Sequence, residues 1–263
     1  MIRTPLMNVM TATALKAGRN LRKDFADLPS MKISRKGPGD FVSQADKRAE
    51  DIIFRELDKA RPGYSFRMEE SGTTEGSDKT HVWHVDPLDG TTNFLHGVPY
   101  FAVSIGLERE GQLVAGVVYN PATDDMFMAE KGHGAFHNNH RMRVSTCADP
   151  IDALVACGIP HIGMSTRESF NRELAAVMGR FGGARCFGAC ALDLAAVAAG
   201  RLDGFWHRGL KSWDLAAGIV LVREAGGYVS DLKGKAAMLD GGSVAVGNEA
   251  MHKALLAAVS GAG

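Results

Sequence analysis

Two stretches of the chain repeat apolar side chains at helical spacing. Residues 6–26 do so and end in a basic turn, and "DKRAEDIIFRELDKARPG" from Asp46 does so until Pro62 and Gly63 stop it. Each predicts an amphipathic helix. Between them, "MKISRKGPGDFVSQAD" reads as a short strand followed by a loop that Gly37, Pro38 and Gly39 keep turning. "YSFRMEES" reads as a strand entering a polar loop. From Tyr100 the period shortens, and "FAVSIGLEREGQLVAGVVYNPATDDMFMAEKGHGAF" becomes a series of β-type segments parted by Glu-Gly and Asn-Pro turns, an antiparallel meander. Farther on come a strand near Leu154, a helix over Thr166–Phe181, a strand at Arg185 and a helix from Ala189. A strand at Asp203, a helix from Asp214 and a strand–helix pair between Val244 and Val259 complete the chain. Strands alternate with helices and no repeat or linker intervenes, so the pattern predicts α/β layers in one unit.

Composition narrows the function classes. Thirty basic residues balance thirty acidic ones, so net charge gives no reason to expect direct nucleic-acid or membrane binding. Four cysteines, Cys147, Cys157, Cys186 and Cys190, match neither zinc-knuckle nor redox-motif spacing, and are read as reduced and mostly buried. No run approaches the ~18 apolar residues that a membrane span needs. The N-terminal stretch lacks a long apolar segment, so a cytoplasmic protein is expected.

The chemistry concentrates in "HVWHVDPLDGTTNF", residues 81–94. An apolar strand ends in Asp86 and Asp89, separated by Pro87 and Leu88, where α/β proteins place ligands. Two carboxylates facing one point repel and raise each other's pKa unless a cation lies between them, which favours a hard divalent metal. Gly90, Thr91 and Thr92 then start a helix, whose first amides favour an anion such as phosphate. Turn formation and helix capping would also use Asp and Gly here; acids and an anion cradle together point to a phosphate-plus-magnesium site.

"WHVDPLDGTTNF" resembles the signature of the inositol monophosphatase family, lithium-sensitive phosphatases dependent on magnesium. "GLKSWDLAAGIVLVREAGG", residues 209–227, resembles that family's C-terminal signature. "MEES" at Met68–Ser71 and "FGACALDLAAVAAGRLDGF" are similar to its Glu-Glu-Ser element and its substrate-side helix and strand. The resemblance runs from the first helix to the last. It implies a layered α-β-α-β-α sandwich of the sugar-phosphatase type with mixed and antiparallel sheets. A single domain over 1–263 would divide into a metal-site lobe to about residue 145 and a substrate-side lobe from 146.

Carried over, the resemblance makes Glu69, Asp86 and the Leu88 carbonyl ligands of one Mg²⁺, and Asp86, Asp89 and Asp214 ligands of a second. A third, weaker ion would share Glu69. Gly90 and Thr91 would hold phosphate oxygens through their amides, with Thr91 also orienting the attacking water and Glu69 accepting its proton. Gly188, Ala189 and Cys190 would line the substrate, with Lys36 near the site and Asp46 behind it. The implied activity is hydrolysis of a small polyol phosphate, myo-inositol 1-phosphate first, by a homodimer.

One position departs from the pattern. Inositol phosphatases of the family carry glutamate seven residues before the metal aspartate, and here His207 stands there. Histidine donates or accepts but is not anionic, so polyol recognition changes at one contact. Histidinol phosphate is therefore the rival substrate. A non-catalytic accessory role in transcription or ribosomal RNA synthesis, through a protein partner, is the rival class, since bacterial relatives are implicated in it. The cluster His133, His137 and His140 reads as an exposed hairpin without an acid at hand, and not as a zinc site.

Overall fold

The computed structural model describes residues 3–28, 33–37, 40–160 and 166–261, with the backbone alone over 33–37 and 40–43. Two helices, α1 (Pro5–Ala26) and α2 (Gln44–Ala60), realise the two periodic stretches. α1 starts at Thr4, whose hydroxyl accepts the Met7 amide at 3.1 Å, with Pro5 preset for the first turn. Its buried stripe, Met7, Met10, Ala14, Ala17 and Leu21, packs beside α2, which buries Ala45, Ala49, Ile53 and Leu57. Asp46 and Glu50 lie buried on α2 as well, one helical turn apart.

The chain read as one strand and a loop is a hairpin. β1 (Ile33–Gly37) pairs antiparallel with β2 (Asp40–Ser43), Ile33 opposite Ser43. A Gly-Pro-Gly cluster signals a reversal but not whether its flanks pair, which explains the missed second strand. Lys36 consequently falls within β1 and not in the loop after it; its side chain lies outside the described residues.

The larger sheet holds β3 (Ser65–Met68), β4 (Gly72–Thr74), β5 (His81–Asp89), β6 (Ala102–Arg109), β7 (Gln112–Asn120), β8 (Asp125–Glu130), β9 (Gly134–His137) and β10 (His140–Arg141). Its order is β10-β9-β8-β7-β6-β5-β3-β4, antiparallel throughout except for β3 beside β5. The short α3 (Thr91–Leu95) links β5 to β6. The smaller sheet combines β11 (Leu154–Cys157), β12 (Gly183–Arg185), β13 (Gly204–Arg208), β14 (Tyr228–Ser230) and β15 (Ser243–Gly247) in the order β12-β11-β13-β15-β14. α4 (Arg167–Met178) and α8 (Glu249–Ser260) cover its outer face. α5 (Cys190–Ala198) and α6 (Ser212–Glu224) fill the space between the sheets. The result is the α-β-α-β-α layering that the resemblance implies. The three-residue β14, α7 (Met238–Gly241) and a 3-10 turn at Pro150–Asp152 are too short for a periodicity to announce.

Burial on both sides explains why α5 and α6 are almost wholly apolar rather than striped. Small residues let α6 lie against the larger sheet: a Cβ placed on Gly116 of β7 would stand 2.5 Å from the Ala217 carbonyl oxygen, and one on Gly106 of β6 2.6 Å from Ala216 Cβ. Glycine at those two strand positions therefore sets the helix's distance, and with it the position of the helix's first turn. Among the described residues no helix is long and apolar enough to cross a membrane.

Candidate active site

β5 carries two of the acids to the cleft between the layers. Its pairing with β6 slips between Asp86 and Asp89, as expected where Pro87 has no N–H to donate and a residue must be left out of the ladder. The interruption lies inside the strand rather than after it. It aims both carboxylates into one cleft of about 410 Å³, lined also by Glu69 and Asp214. Glu69 follows β3, its amide bonded to the Val85 carbonyl at 3.3 Å. Asp214 lies in the first turn of α6, which begins at Ser212 rather than at Asp214 itself.

The carboxylates are held by backbone amides. Asp86 accepts from the Leu88 amide at 2.9 Å and Asp214 from the Lys211 amide at 2.7 Å. Asp89 accepts two, from Cys190 at 3.2 Å and Ala191 at 2.7 Å, and so caps the start of α5 across 101 residues of sequence. The Cys190 amide is thus directed at Asp89 and not outward.

Burial is the main force raising the acids' pKa values, and crowding adds to it. Asp86 is pushed well above the carboxylate range by desolvation, then by Glu69, Asp89 and Asp214. Asp89 rises to about 7, chiefly by desolvation, although the Ala191 and Cys190 amides oppose the shift. Desolvation lifts Asp214 to about 8 against the Lys211 amide. Among the described residues no three His, Cys, Asp or Glu side chains are gathered as a closed metal cage, and Asp86, Asp89 and Asp214 each accept from backbone amides. The donor set nevertheless fits a hard divalent cation: it consists of carboxylate and carbonyl oxygens alone, whose mutual repulsion a cation reverses.

Gly90 has φ of 85°, a left-handed conformation, and a Cβ there would lie 3.0 Å from the Tyr100 carbonyl and 3.1 Å from Ala189 Cβ. Only glycine lets the acid loop and the α5 start meet this closely. Thr91, next along, directs its hydroxyl between Asp46 Oδ1 at 3.2 Å and the Leu88 carbonyl at 3.0 Å. Buried Glu50, one turn beyond Asp46, accepts the Glu70 amide at 2.9 Å. One face of α2 thus supports both the Thr91 loop and the segment carrying Glu69.

Gly188, Ala189, Cys190 and His207 line the same cleft with Gly158, Ile159, Pro160, Arg167 and Cys186. The His207 ring lies over Gly158, where a Cβ would come within 2.2 Å of it. Three supports carry no local sequence signal. Asn93 donates to the Tyr100 and Phe187 carbonyls at 2.8 and 2.7 Å, tying the Thr91 loop to the substrate wall. Asp193, in the first turn of α5, accepts from the Tyr100 hydroxyl at 2.8 Å. Fully buried His84 bridges Glu108 at 3.0 Å and Ser212 at 2.9 Å. The Glu108 carboxylate can only accept, so Nε2 donates to it, while Nδ1 pairs with the Ser212 hydroxyl and anchors the α6 start.

A wider hollow of about 580 Å³ beside α2 mixes Glu50, Asp51 and Glu70 with Lys47 and Arg48, so its charges offset one another and no acid set converges. His137 and His140 lie on the β9–β10 hairpin, and His133 in the turn that leads from β8 into β9. An acid does stand beside them, because Asp125 of the neighbouring β8 meets His137 at 2.5 Å. That contact is a hydrogen bond across the sheet, with no metal cluster among the described residues.

The profile of the Inositol monophosphatase family matches residues 3–262. An Inositol-1-monophosphatase of Mesorhizobium japonicum is 58% identical over 98% of this chain and 97% of its own length. Nus factor SuhB of Escherichia coli K12 is 40% identical over 96% of this chain and 95% of its own. The crystal structure of extragenic suppressor protein suhB from Bartonella henselae superposes with a TM-score of 0.95 at 51% identity, covering 97% of this chain and 98% of that one.

Proposed function

The chain belongs to the inositol monophosphatase family, and from that premise we propose that it hydrolyses a small polyol phosphate, myo-inositol 1-phosphate foremost, with Mg²⁺. It is a phosphoric monoester hydrolase, and the family is generally magnesium-dependent. The observation that carries the reading is the convergence of Glu69, Asp86, Asp89 and Asp214 on one cleft beside the Gly90–Thr91 amides.

Those four acids and the Leu88 carbonyl would hold the cations, two or three in number. Bound there, Mg²⁺ supplies Lewis-acid neutralisation of phosphate charge and a more acidic water. The chain supplies the positioning. The amides of Gly90 and Thr91 hold phosphate oxygens, Asp46 fixes the Thr91 hydroxyl that orients the nucleophilic water, and Glu69 takes that water's proton. Gly188, Ala189, Cys190 and His207 face the leaving alcohol, and Lys36 is kept as a substrate residue on the family resemblance alone. We take the chain as one domain of two lobes, supported by a core that joins Val118 and Phe127 to Ala156 and Leu194. A cytoplasmic homodimer is part of the same reading. A protein partner in transcription is the second reading, supported by the likeness to the Escherichia coli Nus factor; a pull-down from lysate scored for transcription proteins tests it separately from turnover.

Metal binding is expected to show in stability. Asp89 and Asp214 have folded-state pKa values near 7 and 8 against an ordinary 3.8. Raised carboxylates favour folding below the ordinary value, and that contribution is lost as pH climbs toward the raised one. The metal-free protein should therefore melt lower at about pH 8 than at about pH 6, and saturating Mg²⁺ should raise Tm more at the higher pH. Equal Mg²⁺-induced shifts at both pH values would mean that these acids do not bind the ion.

His207 should govern the choice of alcohol. His207→Glu is expected to raise kcat/KM for inositol 1-phosphate relative to histidinol phosphate by ~10-fold, because a substrate hydroxyl gains a carboxylate acceptor. Hydrolysis of a plain aryl phosphate should change little. A common factor across all three substrates would assign His207 to support of the fold.

A further inference from the structure

Cys157 ends β11 and Cys186 follows β12. The parallel register places Ala156 opposite Arg185, so one step farther sets Cys157 opposite Cys186. Facing positions on neighbouring strands lie ~4.8 Å apart, within the Cα separation of ~4.4–6.8 Å that a disulfide spans, with both side chains on one face. The Cys157 thiol donates to the Arg185 carbonyl at 3.6 Å, so its sulfur lies against the strand end that carries Cys186. Their surroundings differ: Cys157 is buried, whereas Cys186 is exposed and lines the substrate cleft. The neighbouring Cys157 thiol first, and the Ile159 amide after it, draw the Cys186 pKa down to about 7 despite partial burial. The nearby Cys186 sulfur and desolvation push Cys157 up. Fully buried Cys190 is also pushed up, so the nucleophilic thiol is Cys186.

We propose that Cys157 and Cys186 form a redox-active dithiol in the cleft wall, oxidised by a hydroperoxide to a disulfide. The Cys186 thiolate attacks the peroxide oxygen, the O–O bond breaks, and a sulfenic acid forms as the leaving oxygen is protonated to water or alcohol. Cys157 then gives up its proton and attacks the Cys186 sulfur; the S–S bond forms and hydroxide leaves as water. The dithiol loses two electrons and two protons, which the peroxide gains. The bond reaches the substrate wall because Cys186 leads through Phe187, whose carbonyl holds Asn93, into the start of α5, whose amides hold Asp89.

The test treats the reduced, Mg²⁺-loaded protein with a small excess of hydrogen peroxide and maps it by non-reducing peptide mass spectrometry. A Cys157–Cys186 linkage that dithiothreitol reverses is expected. In Cys157→Ala, and in Cys157→Ser should the first fold poorly, dimedone should label Cys186 and spare Cys147. Iodoacetamide at neutral pH should alkylate Cys186 about 10-fold faster than Cys147. Failure of the linkage to form in the native chain, or equal labelling of the two cysteines, would overturn the site. The second arm rests on the phosphatase reading: KM for a phosphate ester should at least double in the disulfide form and recover on reduction. A linked protein with unchanged KM would overturn the coupling to the cleft while leaving both the dithiol and the phosphatase reading in place.

Discussion

Replacing Asp89 by Asn should lower kcat by ~10³-fold, the range seen when one preorganised electrostatic contact at a reacting centre is lost. Side-chain volume is kept and one negative charge disappears from a cluster of four acids, so Mg²⁺ titrated by calorimetry should bind more weakly. The structure adds a second effect that charge alone does not include. Both Asp89 oxygens accept amides, from Cys190 and Ala191, and asparagine offers one oxygen only. Its NH₂ must face an N–H, which leaves a buried donor unsatisfied at a cost of ~1–3 kcal/mol. A fall of several degrees in Tm should therefore accompany the lost turnover. If kcat holds while Tm falls, Asp89 is a cap for α5 and the metal assignment is wrong.

The acids near Pro87 were legible because they are close in sequence and their residue types carry an obvious electrostatic problem. The amphipathic α1 and α2 were legible for a similar reason, each having one buried face. Local pattern fails where partners are remote. His84 meets Ser212 across 128 residues and Glu108 across 24, so nothing around "VWHVD" distinguishes a bridging histidine from a strand histidine. Asp193 and Asn93 act through Tyr100 and the Phe187 carbonyl, contacts that exist only once the layers stack. The central helices pose the opposite difficulty: α6 is buried on nearly every side, so its period vanishes, and the chain pattern puts its start at Asp214, two residues late. The His137–Asp125 pair escaped because register across β8 and β9, and not sequence spacing, brings it together. Sequence exposes chemistry stated within one turn or one strand; topology supplies what joins the lobes.

The position of α6 yields the other large effect. Gly116→Val should destabilise the protein by ~3 kcal/mol or more and Gly116→Ala by ~1–3, as overpacking does when backbone must yield. Atoms that a new Cβ would strike belong to the Ala217 main chain, at 2.5 Å for its oxygen and 2.8 Å for its Cα, and no rotamer change relieves them. The helix has to move off β7. Asp214 rides on its first turn, anchored through Ser212 to His84 and through the Trp213 carbonyl to Ser104, so displacement should also separate this acid from Asp86 and Asp89. Mg²⁺ affinity should then fall together with Tm in Gly116→Ala. Gly241→Ala serves as the control, since a methyl there meets nothing within 4 Å, and both quantities should stay unchanged. Reduced stability with intact Mg²⁺ affinity would show that the His84–Ser212 and Ser104–Trp213 anchors fix Asp214; an unchanged Tm would show that the glycine contact does not set the helix's place. The first outcome transfers control of the site to those anchors, where His84→Gln should then weaken Mg²⁺ binding without altering the packing of α6 on the sheet.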